Sequence, residues 1–269
     1  MPSRSAIYTH GHHESVLRSH RWRTAENSAG YLLPYLRLGM SLLDVGCGPG
    51  TITVDLAARL APGRVVGIDP APEAVVLART AAGEGPMAPR IELGDVRTWN
   101  GGGFDVVHAH QVLQHVADPV EVLRAMAALC VPGGLVAARD SDYSAMAWFP
   151  RLPELDRWME LYQRTARANG GEPDAGPRLL GWAHAAGLGE VTATASVWCF
   201  ANDADRAFWG GMWADRIVES AMARQLLQSG LATRAELVEI SHGWRHWAAD
   251  PDGVFTIPHG EIVARLPGR

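Results

Sequence analysis

The most conspicuous absence from the sequence is lysine. All 24 basic side chains are arginines, scattered along a chain of 269 residues with a formal net charge of −5. Proteins that bind nucleic acid neutralise phosphates with clustered basic side chains, and the sequence contains no such cluster. We therefore expect the arginines, Arg124 and Arg139 among them, to be solvated surface charges, and the partner to be a small molecule rather than nucleic acid.

Cysteines are few and long apolar runs are missing. Cys47, Cys130 and Cys199 are far apart and form no C-x-x-C pair, which argues against a disulfide framework and a zinc cage. The apolar runs are shorter than the ~20 residues that a membrane-spanning helix needs. The first residues are polar and rich in histidine, unlike a secretory signal peptide. These features predict a cytoplasmic protein that does not enter a membrane.

Short apolar runs alternate with helical patterns in the first half of a chain that is 47% hydrophobic. The predicted strands are residues 41–45, 64–68, 90–93, 104–109 and 135–139, and the predicted helices between them are residues 51–60, 73–82 and 120–130. Strands that alternate with helices of this length form βαβ units, which place the strands in a parallel sheet. The pattern therefore predicts an α/β fold.

The flanking regions have a less regular pattern. A helix is expected over residues 15–38, and residues after Asp140 predict helices at 155–168 and 178–186, a strand at 191–200, a helical insertion at about 203–243, and extended elements at 255–257 and 262–264. The insertion includes Trp209, Met212 and Trp213. At helical spacing such side chains indicate either ordinary core or a cap that shapes an apolar pocket, and both interpretations stay open.

The strongest motif is D-V-G-C-G-P-G at residues 44–50, between the first predicted strand and the first predicted helix. Glycine tolerates positive φ and lets a ligand approach the backbone, and the helix that follows offers free N–H groups. Dinucleotide-binding turns have the spacing G-x-G-x-x-G, whereas the spacing here is G-x-G-x-G. Asp44 would repel a pyrophosphate but suits a cationic amino group, which argues against an NAD-dependent oxidoreductase.

Two further aspartates follow later strands. The carboxylate of Asp69, after the second strand, suits the two hydroxyls of a ribose. Asp95 and its apolar neighbour Val96, after the third strand, suit an adenine amino group and ring face. Because open α/β sheets bind ligands at the carboxyl ends of their strands, the three sites imply a ligand with an amino acid part, a ribose and an adenine, but no phosphate. S-adenosylmethionine has these parts.

These motifs, with F-D-V-V at residues 104–107 and V-L-Q-H-V at residues 112–116, resemble the class I S-adenosylmethionine-dependent methyltransferases, and within them the type 11 or UbiE-type group. The resemblance covers residues 42–139. It implies a Rossmann-like, doubly wound, mostly parallel seven-stranded sheet with an N-terminal helical lid and a helical insertion before the last strand. It also implies a single methyltransferase domain over residues 1–269, divided into a lid (1–38), a cofactor-binding core (39–140) and substrate-side elements (141–269).

Residues 8–29 are similar to a group of bacterial and fungal secondary-metabolism methyltransferases that includes gliotoxin bis-thiomethyltransferase. This similarity implies a secondary metabolite as the methyl acceptor and a thiol sulfur as the methylated atom. Methylation at oxygen, nitrogen or carbon is an alternative. A further alternative is a protein that binds the cofactor without methylating, as a cyclase or a regulatory binder. A homodimer is also expected.

The resemblance assigns cofactor contacts to the glycine turn, the strand ends and the lid. These residues are Tyr8, His13, Arg23, Gly46, Cys47, Gly48, Asp69, Pro70, Asp95, Val96 and Gln111. The guanidinium of Arg23 is suited to a bidentate contact with the methionine carboxylate. Asp69 has a second interpretation, as the cap of the helix that follows it.

A general base is needed only if the acceptor loses a proton during the attack. The candidates, in order of preference, are His110, His13, Tyr8 and His115. A zinc site would need ligands fixed in a tetrahedron, and no feature of the sequence fixes the two histidine groups together. Those groups are His10, His12 and His13, and His108, His110 and His115. We therefore expect no metal.

Overall fold

The computed structural model describes residues 22–268, so Tyr8, His10, His12 and His13 lie outside the described residues. One eight-stranded sheet forms the centre of the fold. Its strands are β1 (Leu42–Val45), β2 (Val65–Asp69), β3 (Arg90–Leu93), β4 (Phe104–His110), β5 (Cys130–Ser141), β6 (Ala147–Phe149), β7 (Val191–Phe200) and β8 (Val254–Arg265).

The strand order confirms the doubly wound, mostly parallel sheet. Strands β3, β2, β1, β4 and β5 are parallel neighbours in that order. Strand β8 runs antiparallel to β5, and β7 runs antiparallel to the other edge of β8. The sheet has eight strands rather than the expected seven, because the short strand β6 pairs with the first residues of β8. The carboxyl ends of β1 to β4 meet at one edge of the sheet.

Helices cover both faces of this sheet. They are α1 (Ala25–Ala29), α2 (Thr51–Leu60), α3 (Pro72–Ala82), α4 (Pro119–Ala128), α5 (Pro153–Ala168), α6 (Leu179–Ala185), α7 (Asp203–Glu219), α8 (Ala221–Gln228) and α9 (Arg234–Ala249). On one face, α1 and α2 pack against Leu42 and Val106. On the other, α4 and α6 pack against Val107 and Val136. Neighbouring residues of one strand thus enter two separate cores, as expected of a parallel sheet that is covered on both sides.

The predicted helical insertion lies between β7 and β8 and consists of α7, α8 and α9. Trp209, Met212 and Trp213 are all buried, and with α5 they form an aromatic core of their own. The rings of Trp158 and Trp213 meet edge to face, with centroids 4.6 Å apart. This geometry favours the core interpretation of the tryptophans over that of a pocket-lining cap.

Several predicted elements differ from the structure. The strand expected at residues 135–139 is longer and spans Cys130–Ser141. The helix expected through residue 38 ends at Ala29 and is followed by a 3-10 turn at Leu33–Tyr35. Pro34 lies in that turn, and proline removes a backbone N–H and clashes with the preceding helical turn.

The two short extended elements expected at the end of the chain form one continuous strand, β8. Pro258 and Gly260 lie within it and would weaken an isolated strand. Pairing with β5 and β7 on both edges holds β8 extended through them. A Cβ on residue 260 would lie 2.1 Å from the carbonyl oxygen of Gly176, so a glycine is needed where another segment crosses the strand.

Candidate functional site

The glycine turn between β1 and α2 has a backbone that favours glycine. Gly46, Gly48 and Gly50 have φ values of +67°, +54° and +84°, in the left-handed region where a Cβ is unfavourable. A Cβ on Gly46 would lie 2.5 Å from Cγ2 of Val112, so the loop after β4 packs directly against the turn. The N–H of Gly46 donates to the carbonyl of Ile68 at 2.8 Å, which fixes the turn against β2.

Asp69 ends β2 beside this turn, and its side chain is buried. One carboxylate oxygen accepts from the N–H of Gly48 and the other from the N–H of Ala71, each at 2.9 Å. These two hydrogen bonds fix the carboxylate at the end of β2, beside the glycine turn. Helix α3 has Ala71 at its N-cap position, which argues against the cap interpretation of Asp69. Pro70 is exposed next to it.

Asp95 and Val96 follow β3. Val96 is buried in the core beneath the sheet. The carboxylate of Asp95 accepts from the backbone N–H and from Nε of Arg97, both at 2.9 Å. The hydrogen bonds from the Arg97 side chain lower the pKa of Asp95, so the carboxylate is ionised at neutral pH. A ligand amino group at this strand end would share the Asp95 oxygens with Arg97.

Asp44 differs from the expectation that it faces a ligand. One of its oxygens accepts from the hydroxyl of Thr53 at 2.6 Å, and the other lies 2.9 Å from Nδ1 of His108. Asp44 and His108 are both buried. Asp44 therefore ties β1 to α2 and β4, and His108 is directed toward β1 within the protein interior.

Cys47 lies within the glycine turn and is buried. Burial raises the pKa of its thiol, and the nearby carboxylates of Asp44 and Asp69 raise it further. The thiol is therefore protonated at neutral pH. Since the thiolate is the nucleophilic form of cysteine, Cys47 is poorly suited to covalent catalysis.

A group of polar side chains, which we call the β4 cluster, lies where β4 ends; its members are Arg23, His110, Gln111 and His259. The side-chain oxygen of Gln111 accepts from the Arg23 guanidinium at 2.5 Å, and its amide nitrogen lies 2.8 Å from Nε2 of His259. The ring centroids of His110 and His259 are 6.2 Å apart. Neither ring nitrogen of His110 has a hydrogen-bond partner among residues 22–268.

Burial keeps His110, His115 and His259 neutral. Burial holds the pKa of His110 well below its usual range, and the charges of Arg23 and Arg139 add to this effect. Burial followed by the charge of Arg139 does the same to the pKa of His259. Burial and then Arg23 lower the pKa of His115 to about 3. Unprotonated imidazoles at neutral pH are able to accept hydrogen bonds from a bound molecule.

The structure brings several of the predicted site residues together. Arg23, His110 and Gln111 are within one cluster, and Val112 of the same loop contacts the glycine turn. His115 ends the 3-10 turn Leu113–His115 that follows, where its Nε2 lies 3.1 Å from the amide nitrogen of Gln114.

No pattern in the sequence points to His259, and the environment predicted for Arg139 is wrong. His259 belongs to the final strand and meets Gln111 only through the register of the sheet. Arg139 was expected to be a solvated surface charge, but it is 1% exposed and forms an ion pair with Glu261. The available signal was its place at the end of the apolar run Leu135-Val136-Ala137-Ala138 in a central strand.

Two further observations concern the described residues alone. No helix between residues 22 and 268 is both long and apolar enough to cross a membrane. Within the same range, no three or more His, Cys, Asp or Glu side chains are grouped so that they could hold a metal ion. His108, His110 and His115 therefore do not assemble with one another into a metal centre.

Comparison with known proteins places this geometry in context. The profile of a family described as a methyltransferase domain matches residues 36–199. An uncharacterized methyltransferase of Schizosaccharomyces pombe is 30% identical over 275 residues, which cover 97% of each chain.

Solved structures share the fold at low sequence identity. The YcgJ protein of Bacillus subtilis has a TM-score of 0.57 and 16% identity, covering 91% of this chain and 100% of its own. A Haemonchus contortus phosphoethanolamine N-methyltransferase, solved with phosphomonomethylethanolamine and S-adenosylhomocysteine, has a TM-score of 0.51 and 16% identity, covering 86% of this chain and 50% of its own.

Proposed function

The chain belongs to the class I S-adenosylmethionine-dependent methyltransferases, and we propose that it transfers the cofactor's methyl group to a small-molecule acceptor. One observation carries the proposal. The glycine turn, Asp69 and the β4 cluster lie along one edge of the sheet, where parallel strands end. Binding residues and a candidate base are thus next to each other.

The donors along this edge fit the parts of the cofactor. Gly46 and Gly48 expose backbone without a Cβ, which suits close approach of the methionine and ribose parts. The Asp69 carboxylate, which the N–H groups of Gly48 and Ala71 hold in place beside the glycine turn, suits the ribose hydroxyls. Val96 and Asp95 are proposed to flank the adenine. Cys47 and Pro70 are proposed to contact the cofactor through their backbone atoms.

Arg23 and Gln111 are proposed to hold the methionine carboxylate. The guanidinium of Arg23 donates a hydrogen bond to the side-chain oxygen of Gln111, which places it at this strand end. A guanidinium offers paired donors that match a carboxylate. Gln111 has a φ of +52°, which costs roughly 1–3 kcal/mol for a residue other than glycine. Its N–H donates to the carbonyl of Arg139 at 2.7 Å, which fixes this conformation. Strain of this kind commonly accompanies a functional position.

His110 is the proposed proton acceptor. The cofactor supplies an activated methyl group on its sulfonium. As the acceptor atom bonds to the methyl carbon, the carbon–sulfur bond breaks and its electron pair remains on sulfur, while the acceptor's proton passes to the free ring nitrogen of His110. Because its pKa is low, His110 is a weak base and suits an acidic acceptor.

A thiol is the acceptor group that we favour. Its pKa near 8.5 makes deprotonation undemanding, which agrees with a weak base at the site. The similarity of residues 8–29 to secondary-metabolite thiol methyltransferases supports the same choice. Tyr8 and His13, which lie outside the described residues, remain candidates for closing the site. A cytoplasmic location and a homodimer also remain predictions.

The test is formation of S-adenosylhomocysteine by the full chain with S-adenosylmethionine and dithiothreitol, measured by mass spectrometry. We expect S-adenosylhomocysteine and S-methylated dithiothreitol in equal amounts. A His110→Phe variant is expected to lose roughly 100-fold in kcat, the lower end of the usual contribution of a base. His184→Phe, at an exposed histidine on α6, is the matched control.

Two outcomes would contradict parts of the proposal. Methyl transfer to amine or carbon acceptors but not to any thiol would refute the choice of acceptor. Cofactor binding without transfer to thiols, phenols or amines would instead favour the alternative of a binding protein that does not methylate.

A further inference from the structure

The sheet ends in two unlike edge strands. On one side, β3 has four residues, of which Arg90 and Glu92 are charged and pair with each other at 2.7 Å. Short strands and charged side chains are the usual protection of a sheet edge, because an open edge presents unpaired N–H and C=O groups to any other strand. On the other side, β7 has ten residues and contains neither a charged residue nor a proline.

The outer edge of β7 is open. Strand β8 occupies one of its edges, and no second strand pairs with it among residues 22–268. Within that same part of the chain, no hydrogen bond joins the backbone of β7 to a segment other than β8. Residues 192–195 are exposed on both faces of the strand, and the apolar side chain of Val197 is 55% exposed. Residues 191–197 therefore form an uncovered edge.

The sequence of this edge is nearly the same in both directions. Residues 191–197 read V-T-A-T-A-S-V, with Thr194 at the centre, an alanine on each side of it, then the hydroxyl residues Thr192 and Ser196, and a valine at each end. A two-fold axis that relates two copies of one strand places them antiparallel, and each residue then faces the position equally far from the axis. With the axis at Thr194, every side chain therefore faces one of its own kind.

This pairing also suits the two faces of the strand. It sets even-numbered residues opposite even-numbered ones, so the hydroxyl side chains of both copies lie on one face and the alanines and valines on the other. No charge faces a like charge. Seven residue pairs supply roughly six to eight backbone hydrogen bonds, because every second pair of an antiparallel ladder exchanges two. Protein interfaces commonly have about 5 to 15.

We propose that the outer edge of β7 is a homodimer interface, in which residues 191–197 of two copies pair antiparallel about a two-fold axis at Thr194. The two eight-stranded sheets then form one continuous sheet. The partner is a second copy of this chain, because the near-palindrome complements itself and a strand of another protein has no need of it. The strand ends proposed for the cofactor belong to β1, β2, β3 and β4, so the interface does not depend on methyl transfer.

The first test is the mass of the full chain by sedimentation equilibrium. We expect the wild type to have twice the 29.0 kDa of one chain. Ala195→Lys places a lysine beside the axis in both copies and is expected to weaken association at least about 10-fold, since like charges then lie close together across the interface. Ala81→Lys, at an exposed alanine of α3, is the matched control and leaves the mass unchanged. Circular dichroism of both variants checks that they are folded.

The second test fixes the register by disulfide cross-linking, in a Cys199→Ser background because Cys199 is exposed. In the proposed pair, Thr194→Cys faces itself at a Cα distance of about 4.5–5.5 Å, which a disulfide spans, so mild oxidation should give a covalent dimer. Thr192→Cys lies on the same exposed strand, but its two copies are offset by roughly 13 Å and should not cross-link. Adding Ser196→Cys to Thr192→Cys should restore the cross-link.

The outcomes that contradict the proposal are distinct. A wild-type chain that sediments as a monomer has no such interface. A dimer that Ala195→Lys leaves intact uses another surface. Cross-linking of Thr192→Cys alone, or none in Thr194→Cys, excludes the register centred on Thr194. Cofactor binding, measured separately, tests the proposed function and is independent of these results.

Discussion

The buried ion pair of Arg139 and Glu261 gives the sharpest stability prediction. Arg139→Met removes a guanidinium from a site where both partners are almost fully enclosed and leaves the Glu261 carboxylate with only hydroxyl donors. Burial lowers the pKa of Arg139 to about 10, so the side chain is charged at neutral pH and the carboxylate depends on it. Breaking a buried pair from one side costs roughly 3–5 kcal/mol.

The double variant separates pairing from packing. Arg139→Met combined with Glu261→Leu removes both charges and leaves apolar side chains of similar length, a replacement that is often neutral or stabilising. We therefore expect each single variant to lose roughly 3–5 kcal/mol in the free energy of unfolding and the double variant to lose less than either. At roughly 2–4 °C per kcal/mol, each single change lowers Tm by roughly 6–20 °C.

The assay is urea denaturation followed by circular dichroism, with the partly exposed pair Arg245–Asp215 as the matched control. Its nitrogen–oxygen distance is 2.8 Å, but the two side chains are 56% and 30% exposed. Arg245→Met should cost less than about 1 kcal/mol. Equal costs for Arg139→Met and Arg245→Met, or strict additivity in the Arg139–Glu261 double variant, would refute the reasoning.

Other predictions concern pH and the glycine turn. Burial holds the pKa values of His110, His115 and His259 below those of the unfolded chain, so below about pH 6.5 the unfolded chain binds more protons than the folded one. As the pH falls, each histidine therefore lowers the free energy of unfolding by up to about 1.4 kcal/mol per pH unit. Asp140, whose pKa burial raises to about 7, acts in the opposite sense below that pH, but one group does not outweigh three. The free energy of unfolding from urea titrations should therefore fall between pH 7 and pH 5, and a rise would contradict the three shifts. Gly46→Ala should weaken S-adenosylmethionine binding at least about 10-fold in calorimetry, because a Cβ at this positive φ, 2.5 Å from Val112, displaces the turn from the conformation that presents its backbone to the cofactor. Val112→Ala should restore part of that affinity by removing the contact alone, and unchanged binding in Gly46→Ala would contradict the assignment of the turn.

The parts of the site that were predictable have local causes. The glycine turn needs positive φ at Gly46, Gly48 and Gly50, and glycines close together in the sequence indicate such a turn directly. Asp69 and Asp95 follow strands whose apolar runs are visible in the sequence. The β4 cluster was only half predictable, because His259 reaches Gln111 across 148 positions through strand pairing. No local pattern specifies a register of that kind.

The fold shows the same division. Helix α2 and strand β3 have the bounds that periodicity predicts. Pro258 and Gly260 divide the predicted strand β8 in two, because local propensity contains no information about the strands that pair with its two edges. The neighbours of Asp44 in the sequence predict a ligand contact, whereas in the fold Thr53 and His108 engage both of its oxygens.

The most direct test is the affinity for S-adenosylmethionine measured by calorimetry on wild type, Asp69→Asn and the exposed-site control Asp252→Asn. We predict saturable binding to wild type and to the control. Asp69→Asn should bind roughly 10- to 100-fold more weakly, as expected when hydrogen bonds to a charged group are lost. Absence of binding to wild type, or equal affinity in all three proteins, would contradict the assignment of this strand end to the cofactor.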